Sequence, residues 1–257
     1  MPQSQKFSWK NSRILIADDE PDMREIFSAW FRNLGCTVTE AADGKEALDA
    51  LARERFDAIV TDVRMPRVDG VQLVHQLHGS GPYTPVIIFV SGYLDLALPD
   101  AFDIGVEAVL SKPCEKKELI EAVQKSLLRR DLHFEPLAPV APPSPENCIS
   151  VSFPRALSAS QVALGRGGVS LDVTHYNASE AFIGFSLSFA EGTLTHLAGW
   201  GSLRWSENSP HSSRIGIEFL HLDDESLLQL ARWLKDHSPV SFIPKTSHSR
   251  SVTSSSA

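Results

Sequence analysis

The sequence predicts an α/β first half, a doubly wound five-stranded parallel sheet, followed by a small mostly-β barrel with a C-terminal helix. Three observations carry this. Between Arg13 and Arg130, short apolar runs alternate with stretches of helical period. Residues Glu135–Glu146 (EPLAPVAPPSPE) then break the rhythm with five prolines. Beyond them the apolar period becomes two.

In the first half, Arg13–Ala17, Thr37–Ala41, Ala58–Thr61, Val86–Val90 and Ala108–Leu110 read as strands. Most are apolar throughout rather than alternating, as parallel strands covered on both faces are. Met23, Ile26, Phe27 and Trp30 mark a first helix, which Gly35 is placed to end. Asp43 caps a second helix carrying Ala47, Leu48 and Leu51. Val71–Leu77 forms a third, and Leu119, Ile120, Val123 and Leu127 mark the last. A fourth, Leu94–Phe102, is interrupted by Pro99. Five alternating β/α units imply a doubly wound parallel sheet.

Five prolines within twelve residues cannot continue a helix or a central strand, so the stretch reads as an extended linker. In the second half Ile183, Phe185, Leu187 and Phe189 alternate with smaller or polar neighbours, as do Ile215, Ile217 and Phe219. Gly192, Gly199 and Gly201 punctuate further strands around Leu194, Leu197, Leu203 and Trp205. Asp223 caps a closing helix with Leu227, Leu230, Ala231 and Leu234 on one face. The expected organisation is a tail over 1–11, an α/β domain over 12–131, a linker over 132–147, a β domain over 148–237 and a Ser-rich disordered tail over 238–257.

Composition narrows the function classes. Of 257 residues 42% are hydrophobic, enough to bury real cores. The formal charge is −8, with about −7 between Asn11 and Asp131 and about −3 between Cys148 and His237. Neither half has the basic footprint that nucleic acid requires. Cys36, Cys114 and Cys148 are odd in number and widely spaced, which suits a reducing compartment rather than a disulfide framework. The N-terminal residues lack a signal core and no stretch is apolar enough to span a membrane, so a cytoplasmic location without membrane attachment is expected. His75 and His78 lack partners at ligand spacing and read as surface residues.

The chemistry concentrates at one edge. Asp18 and Asp19 follow the first strand, Asp62 the third, Ser91 the fourth and Lys112 the fifth. In a parallel doubly wound sheet, these positions share the carboxyl edge, where such folds place ligands. Converging carboxylates repel one another in a partly dry site, and a divalent cation resolves the conflict. Oxygen-only ligands favour magnesium over zinc. A carboxylate there can attack phosphorus, with Lys112 supplying a fixed cation and the Ser91 hydroxyl a donor to the transferred group.

The runs LIADDEPD, IVTDVRMPRVDG, VIIFVSG and VLSKP stand in the order and spacing of receiver domains, and Ser12–Arg130 resembles the flavodoxin-like receivers of two-component response regulators. The resemblance implies a phosphoprotein that accepts a phosphoryl group on Asp62 from a sensor histidine kinase or phosphotransfer protein, and not an enzyme. It implies direct magnesium ligation by Asp19, Asp62 and the Arg64 carbonyl, with Asp18 acting partly through water. Ser91 would be the switch hydroxyl and Lys112 the phosphate-binding cation. Two departures stand out. Val109 occupies a position three before the lysine that the family usually gives to an aromatic ring. Arg64 and Tyr93, two residues beyond Asp62 and Ser91, are bulky and are read as shielding the site from water.

The second half resembles a PilZ domain through GGVSLDV, GWGSLRW and RIGIEFLHLDD and the helix after them. That family often binds cyclic di-GMP, yet its nucleotide motif is incomplete here: only Arg155 lies upstream, and Arg166 in the loop Gly165–Gly168 is the other candidate, as part of an anion nest. The reading is a phosphorelay response regulator acting through an unknown output protein or a phosphorylation-dependent dimer. Its alternatives are a phosphorylation-gated cyclic di-GMP receptor and, further off, a DNA-binding regulator.

Overall fold

Strands β1 (Arg13–Ala17), β2 (Thr37–Ala41), β3 (Ala58–Thr61), β4 (Val86–Ser91) and β5 (Ala108–Ser111) form one all-parallel sheet in the order β2-β1-β3-β4-β5. The structure, a computed structural model, describes residues 7–78, 85–92, 96–130, 143–153, 161–174, 176, 181–210, 212–237 and 239–245. The chain divides into two compact units, Met1–His133 and Phe134–Ala257.

Period two within the buried strands sorts the first unit into layers. Ile14 and Ile16 of β1 join a core with Phe27, Phe31, Leu119 and Val123, while Leu15 and Ala17 join another with Ala47, Leu73, Val74 and Phe89. Helices α1 (Pro21–Arg32) and α5 (Lys116–Arg130) therefore cover one face. Helices α2 (Gly44–Leu51), α3 (Gly70–His78) and α4 (Leu98–Asp103) cover the other. The fourth helix differs from expectation: Pro99 sits in its first turn, where no backbone donor is needed, and starts the helix instead of interrupting it. The N-terminal stretch differs too. Phe7 and Trp9 pack against the core, Trp9 meeting the Phe31 ring at 5.8 Å, so residues 7–11 belong to this unit rather than to a tail.

Asp43 caps α2 by accepting from the amides of Lys45 and Glu46 through Oδ1. Its Oδ2 accepts from the Arg67 guanidinium, which also reaches Glu46 at 3.0 Å. Arg67 has φ +64°, a left-handed conformation that is costly for a residue with a side chain. The ion pair with a buried carboxylate holds it there, and ties the segment after β3 to the start of α2.

In the second unit, β6 (Cys148–Phe153), β7 (Val162–Leu164), β8 (Gly168–Val173), β9 (Phe182–Phe189), β10 (His196–Asn208) and β11 (Ser213–Leu222) form one sheet in the order β6-β9-β10-β11-β8-β7. Its ladders are antiparallel except for β6 with β9. The expected barrel is a sheet with two edges: among the described residues β6 and β7 each pair with one neighbour. The separate strands expected around Leu197, Leu203 and Trp205 are one strand, β10, with register shifts at Trp200/Gly201 and Leu203/Trp205. Gly199 and Gly201 do not break it. A Cβ at either would lie 2.1 Å from a β11 carbonyl oxygen, so glycine permits the close pairing. Helix α6 (Asp224–Asp236) is capped by Asp223 and docks on β10, where Ser226 Oγ accepts from the Ala198 amide at 2.7 Å.

The boundaries of this unit also need correcting. Asn147 is buried and donates to the Phe182 carbonyl at 2.6 Å, so the end of the expected linker belongs to the unit. The expected tail from Ser238 begins with packed chain: Phe242 and Ile243 are buried, and the carbonyls of Ser241 and Phe242 accept from the amides of Arg166 and Gly167. Residues 246–257 lie outside the described residues.

Two outcomes follow. Arg67→Gly loses the ion pair but keeps an easy left-handed backbone, whereas Arg67→Val adds a β-branched side chain at φ +64°. Urea denaturation should find the valine variant less stable than the glycine variant by ~1–2 kcal/mol; equal midpoints would refute the strain argument. Phe242→Ala should weaken the second unit by ~3–5 kcal/mol. Hydrogen exchange would show it as lost protection at the Arg166 and Gly167 amides and along β8 with the first sheet unchanged, and full protection in β8 would contradict it.

Candidate functional site

The sheet presents its carboxyl edge through residues that stand one position past a strand. Each is held by a backbone bond that extends the ladder: the Asp18 amide donates to Ala41, the Asp62 amide to Ala17 and the Lys112 amide to Ser91, at 3.2, 2.9 and 2.9 Å. The side chains thus start from the rigid rim of the core. Arg24, one turn into α1, adds a 2.7 Å bond from its guanidinium to the Asp18 carbonyl. Behind Asp62 the chain loops out and returns at Gly70, whose amide donates to Val63 at 2.9 Å. A Cβ there would lie 2.3 Å from the Asp62 carbonyl oxygen, so the return is open to glycine alone.

Oxygens of Asp18, Glu20 and Asp62 all lie within 4.8 Å of one another. The Lys112 ammonium sits among them, 2.6 Å from Asp62 Oδ2, 2.9 Å from Glu20 Oε1 and 2.9 Å from Asp18 Oδ2. Asp18 and Asp62 are buried, Glu20 is exposed, and the Lys112 side chain is 11% exposed. Asp62 Oδ1 accepts from the Arg64 amide at 3.0 Å, so both of its oxygens are held. Burial raises the pKa of Asp18 above the usual carboxylate value, and the hydrogen bond from Lys112 lowers it only in part. Burial pulls the Lys112 ammonium down, but its bonds to Asp62, Asp18 and Glu20 outweigh this and raise it. The lysine is therefore charged.

The structure brings together Asp18, Asp62 and Lys112, as the sequence suggests, and places Ser91 buried at the end of β4 with its carbonyl bonded to Lys112. Asp19 is exposed and stands outside the cluster; Glu20 takes part instead. Sequence reasoning passed over Glu20, although its signal was present as a third consecutive acid at a strand end. The Arg64 side chain is exposed, and Tyr93 lies outside the described residues. Val109 is half-buried beside Phe89 of β4. His78 is half-buried rather than a surface residue, its Nε2 lying 2.8 Å from the Ile104 carbonyl.

The proposed anion nest at Arg166 does not survive. The amides of Gly165, Arg166 and Gly167 donate to the carbonyls of Gly168, Ser241 and Phe242, so the chain itself uses the donors an anion would need. Arg155 lies outside the described residues.

Residues 14–124 match the family model of the response regulator receiver domain. This part of the chain is a receiver domain. Similar proteins include the response regulator MprA of Mycobacterium tuberculosis (strain H37Rv), 38% identical over 118 residues that span 46% of this chain and 51% of the relative. The regulator of RpoS of Escherichia coli K12 is 37% identical over 101 residues, spanning 39% of this chain and 30% of that protein. The chain thus spans about half the length of the first of these relatives and under a third of the second. Among solved structures, chemotaxis response regulator CheY4 of Vibrio cholerae matches at 27% identity and a TM-score of 0.43, covering 46% of this chain and 99% of that one. The receiver domain of sensor histidine kinase PA1611 from Pseudomonas aeruginosa PAO1, described with magnesium coordinated in its active site cleft, matches at 28% identity and a TM-score of 0.42, covering 46% and 98%. No helix among the described residues is long and apolar enough to cross a membrane.

The burial of Asp18 makes a stability prediction. The raised folded-state pKa of Asp18 means that its favourable contribution is present below the unfolded value and is lost as pH rises through the folded value. At pH 7 in chelator, Asp18→Asn should therefore melt above wild type, and the gap should close on acidification. A variant that melts no higher at pH 7 would contradict this account.

Proposed function

We propose that the chain is a response regulator that takes a phosphoryl group on Asp62, in a magnesium-dependent reaction, from a sensor histidine kinase or phosphotransfer protein. The observation that supports it most is the seating of one charged lysine against Asp62 inside a group of acidic side chains at the carboxyl edge of a parallel sheet.

The donor set fits magnesium. It consists of oxygens alone, and two of its carboxylates are buried beside a single ammonium. Asp18, Asp19 and Asp62, with the Arg64 carbonyl, would hold the ion, which when bound supplies charge stabilisation to the transferring group. The remaining steps belong to the chain. An Asp62 carboxylate oxygen attacks phosphorus of the partner's phosphohistidine, the P–N bond breaks, and the imidazole nitrogen leaves with the electron pair. The Lys112 ammonium, already 2.6 Å from Asp62, neutralises charge gathering on the phosphoryl oxygens. Ser91, fixed at the end of β4, would donate its hydroxyl to one of them. Arg64, projecting from the loop behind Asp62, would shield the product from water.

For the second unit we favour recognition of a protein partner or a change of oligomeric state over cyclic di-GMP binding, because the Gly165–Gly167 amides are already occupied. DNA binding fits less well, since the described residues of this unit carry one α-helix on a six-stranded sheet and an acidic balance. The site chemistry is tested by adding acetyl phosphate and magnesium and following intact mass. Wild type should gain one phosphoryl group and Asp62→Ala should gain none. A wild-type chain left unmodified would defeat the proposal.

A further inference from the structure

Glu20 stands at the N-terminal boundary of α1, the position from which a side chain ordinarily caps the helix, yet it makes no capping bond. Its amide donates to Asp18 Oδ1 at 3.0 Å and its carboxylate turns to the Lys112 ammonium at 2.9 Å. Asp62 and Asp18 hold the same ammonium from the buried side. Lys112 therefore arrives at the reaction fully engaged. To meet a phosphoryl oxygen it must give up a partner, and Glu20, exposed on the solvent side, is the one that water can most readily replace.

We propose that Glu20 is a positioning residue that restrains Lys112 in the unphosphorylated site and opposes the arrival of a doubly charged phosphoryl donor. This deepens the phosphoacceptor reading and rests on it. Two effects act in the same direction. Glu20 competes with the phosphoryl oxygens for the ammonium, and its charge lies within 4.8 Å of the Asp18 and Asp62 oxygens between which an anionic donor must approach. A like charge at that range, partly screened by solvent, slows the encounter by ~3- to 10-fold. Arg24 does not cancel this charge, because its guanidinium serves the Asp18 carbonyl and Glu40.

Glu20→Gln keeps the length of the side chain and removes its charge, and because Glu20 caps nothing α1 should be undisturbed. Two measurements on the full chain test the proposal. With acetyl phosphate at saturating magnesium, the glutamine variant should label ~3- to 10-fold faster than wild type at low salt, and the gap should shrink at high salt. In chelator with no donor, Lys112 of the variant should react faster with acetic anhydride, read by peptide mass spectrometry, while Lys45 and Lys117 react as in wild type. The absence of either change overturns the proposal. If wild type takes no label at all, the phosphoacceptor reading is what fails; the Lys112 reactivity then decides alone whether Glu20 restrains the lysine.

Discussion

The first unit is organised around a charge problem. Parallel strands covered on both faces must end somewhere, and here two of their ends deliver three acidic side chains to one rim, with oxygens within 4.8 Å. Two of those carboxylates are buried, where repulsion is poorly screened. One ammonium from the fifth strand answers them. Its bonds to the three carboxylates explain why Lys112 stays charged despite its own burial. Remove the lysine and the rim becomes a cluster of like charges with no internal counterion, which is the arrangement that a divalent cation suits.

Such a site works only if its atoms are fixed, and the fixing is done by the backbone. The amides of Asp18, Asp62 and Lys112 each prolong a ladder, so the sheet itself sets their spacing. The less regular side of the site is the segment between Asp62 and Gly70. It is held at both ends: Gly70 closes on the backbone of Asp62 and Val63, and Arg67, in a conformation unfavourable to it, is tied to the buried cap of α2. The cost of an unfavourable φ is offset by a charge pair to a carboxylate that also satisfies two helix amides. Asp43 thus links helix capping to site geometry.

How much of this could be read from the residues depends on the range of the interaction. Buried parallel strands announce themselves locally, and β1 to β5 lie within a residue of where the apolar runs put them. The strand-end positions of Asp18, Asp62, Ser91 and Lys112 followed from the same runs. What escaped was set by direction or distance. Whether Asp19 or Glu20 faces the site depends on how the turn after β1 enters α1, which no periodicity encodes. The Arg67–Asp43 pair joins residues twenty-four apart through a positive φ. In the second unit, glycines at 199 and 201 looked like strand breaks because their purpose, close approach of a neighbouring carbonyl, is visible only once β11 is in place. Phe242 and Ile243 were hidden by the prolines and serines around them; their burial comes from a contact with a loop some seventy-five residues earlier.

Val109 decides how a signal could leave the site. A ring at this position would move as a body and change the surface of β5; valine has too little volume to do so, and it lies half-buried next to Phe89, which is fully buried and cannot yield without opening the core. On the phosphoacceptor reading, the change available is therefore electrostatic and local. Lys112 shifts partners, and its backbone is bonded to the Ser91 carbonyl, so the displacement is felt first where β4 and β5 end. Among the described residues, those best placed to carry it outward are Gly92 and Pro113, next to the ends of these two strands, rather than the faces of the sheet. An output that reads the rim directly needs no ring at position 109, and Asp18, Asp62 and Lys112 already meet at that rim.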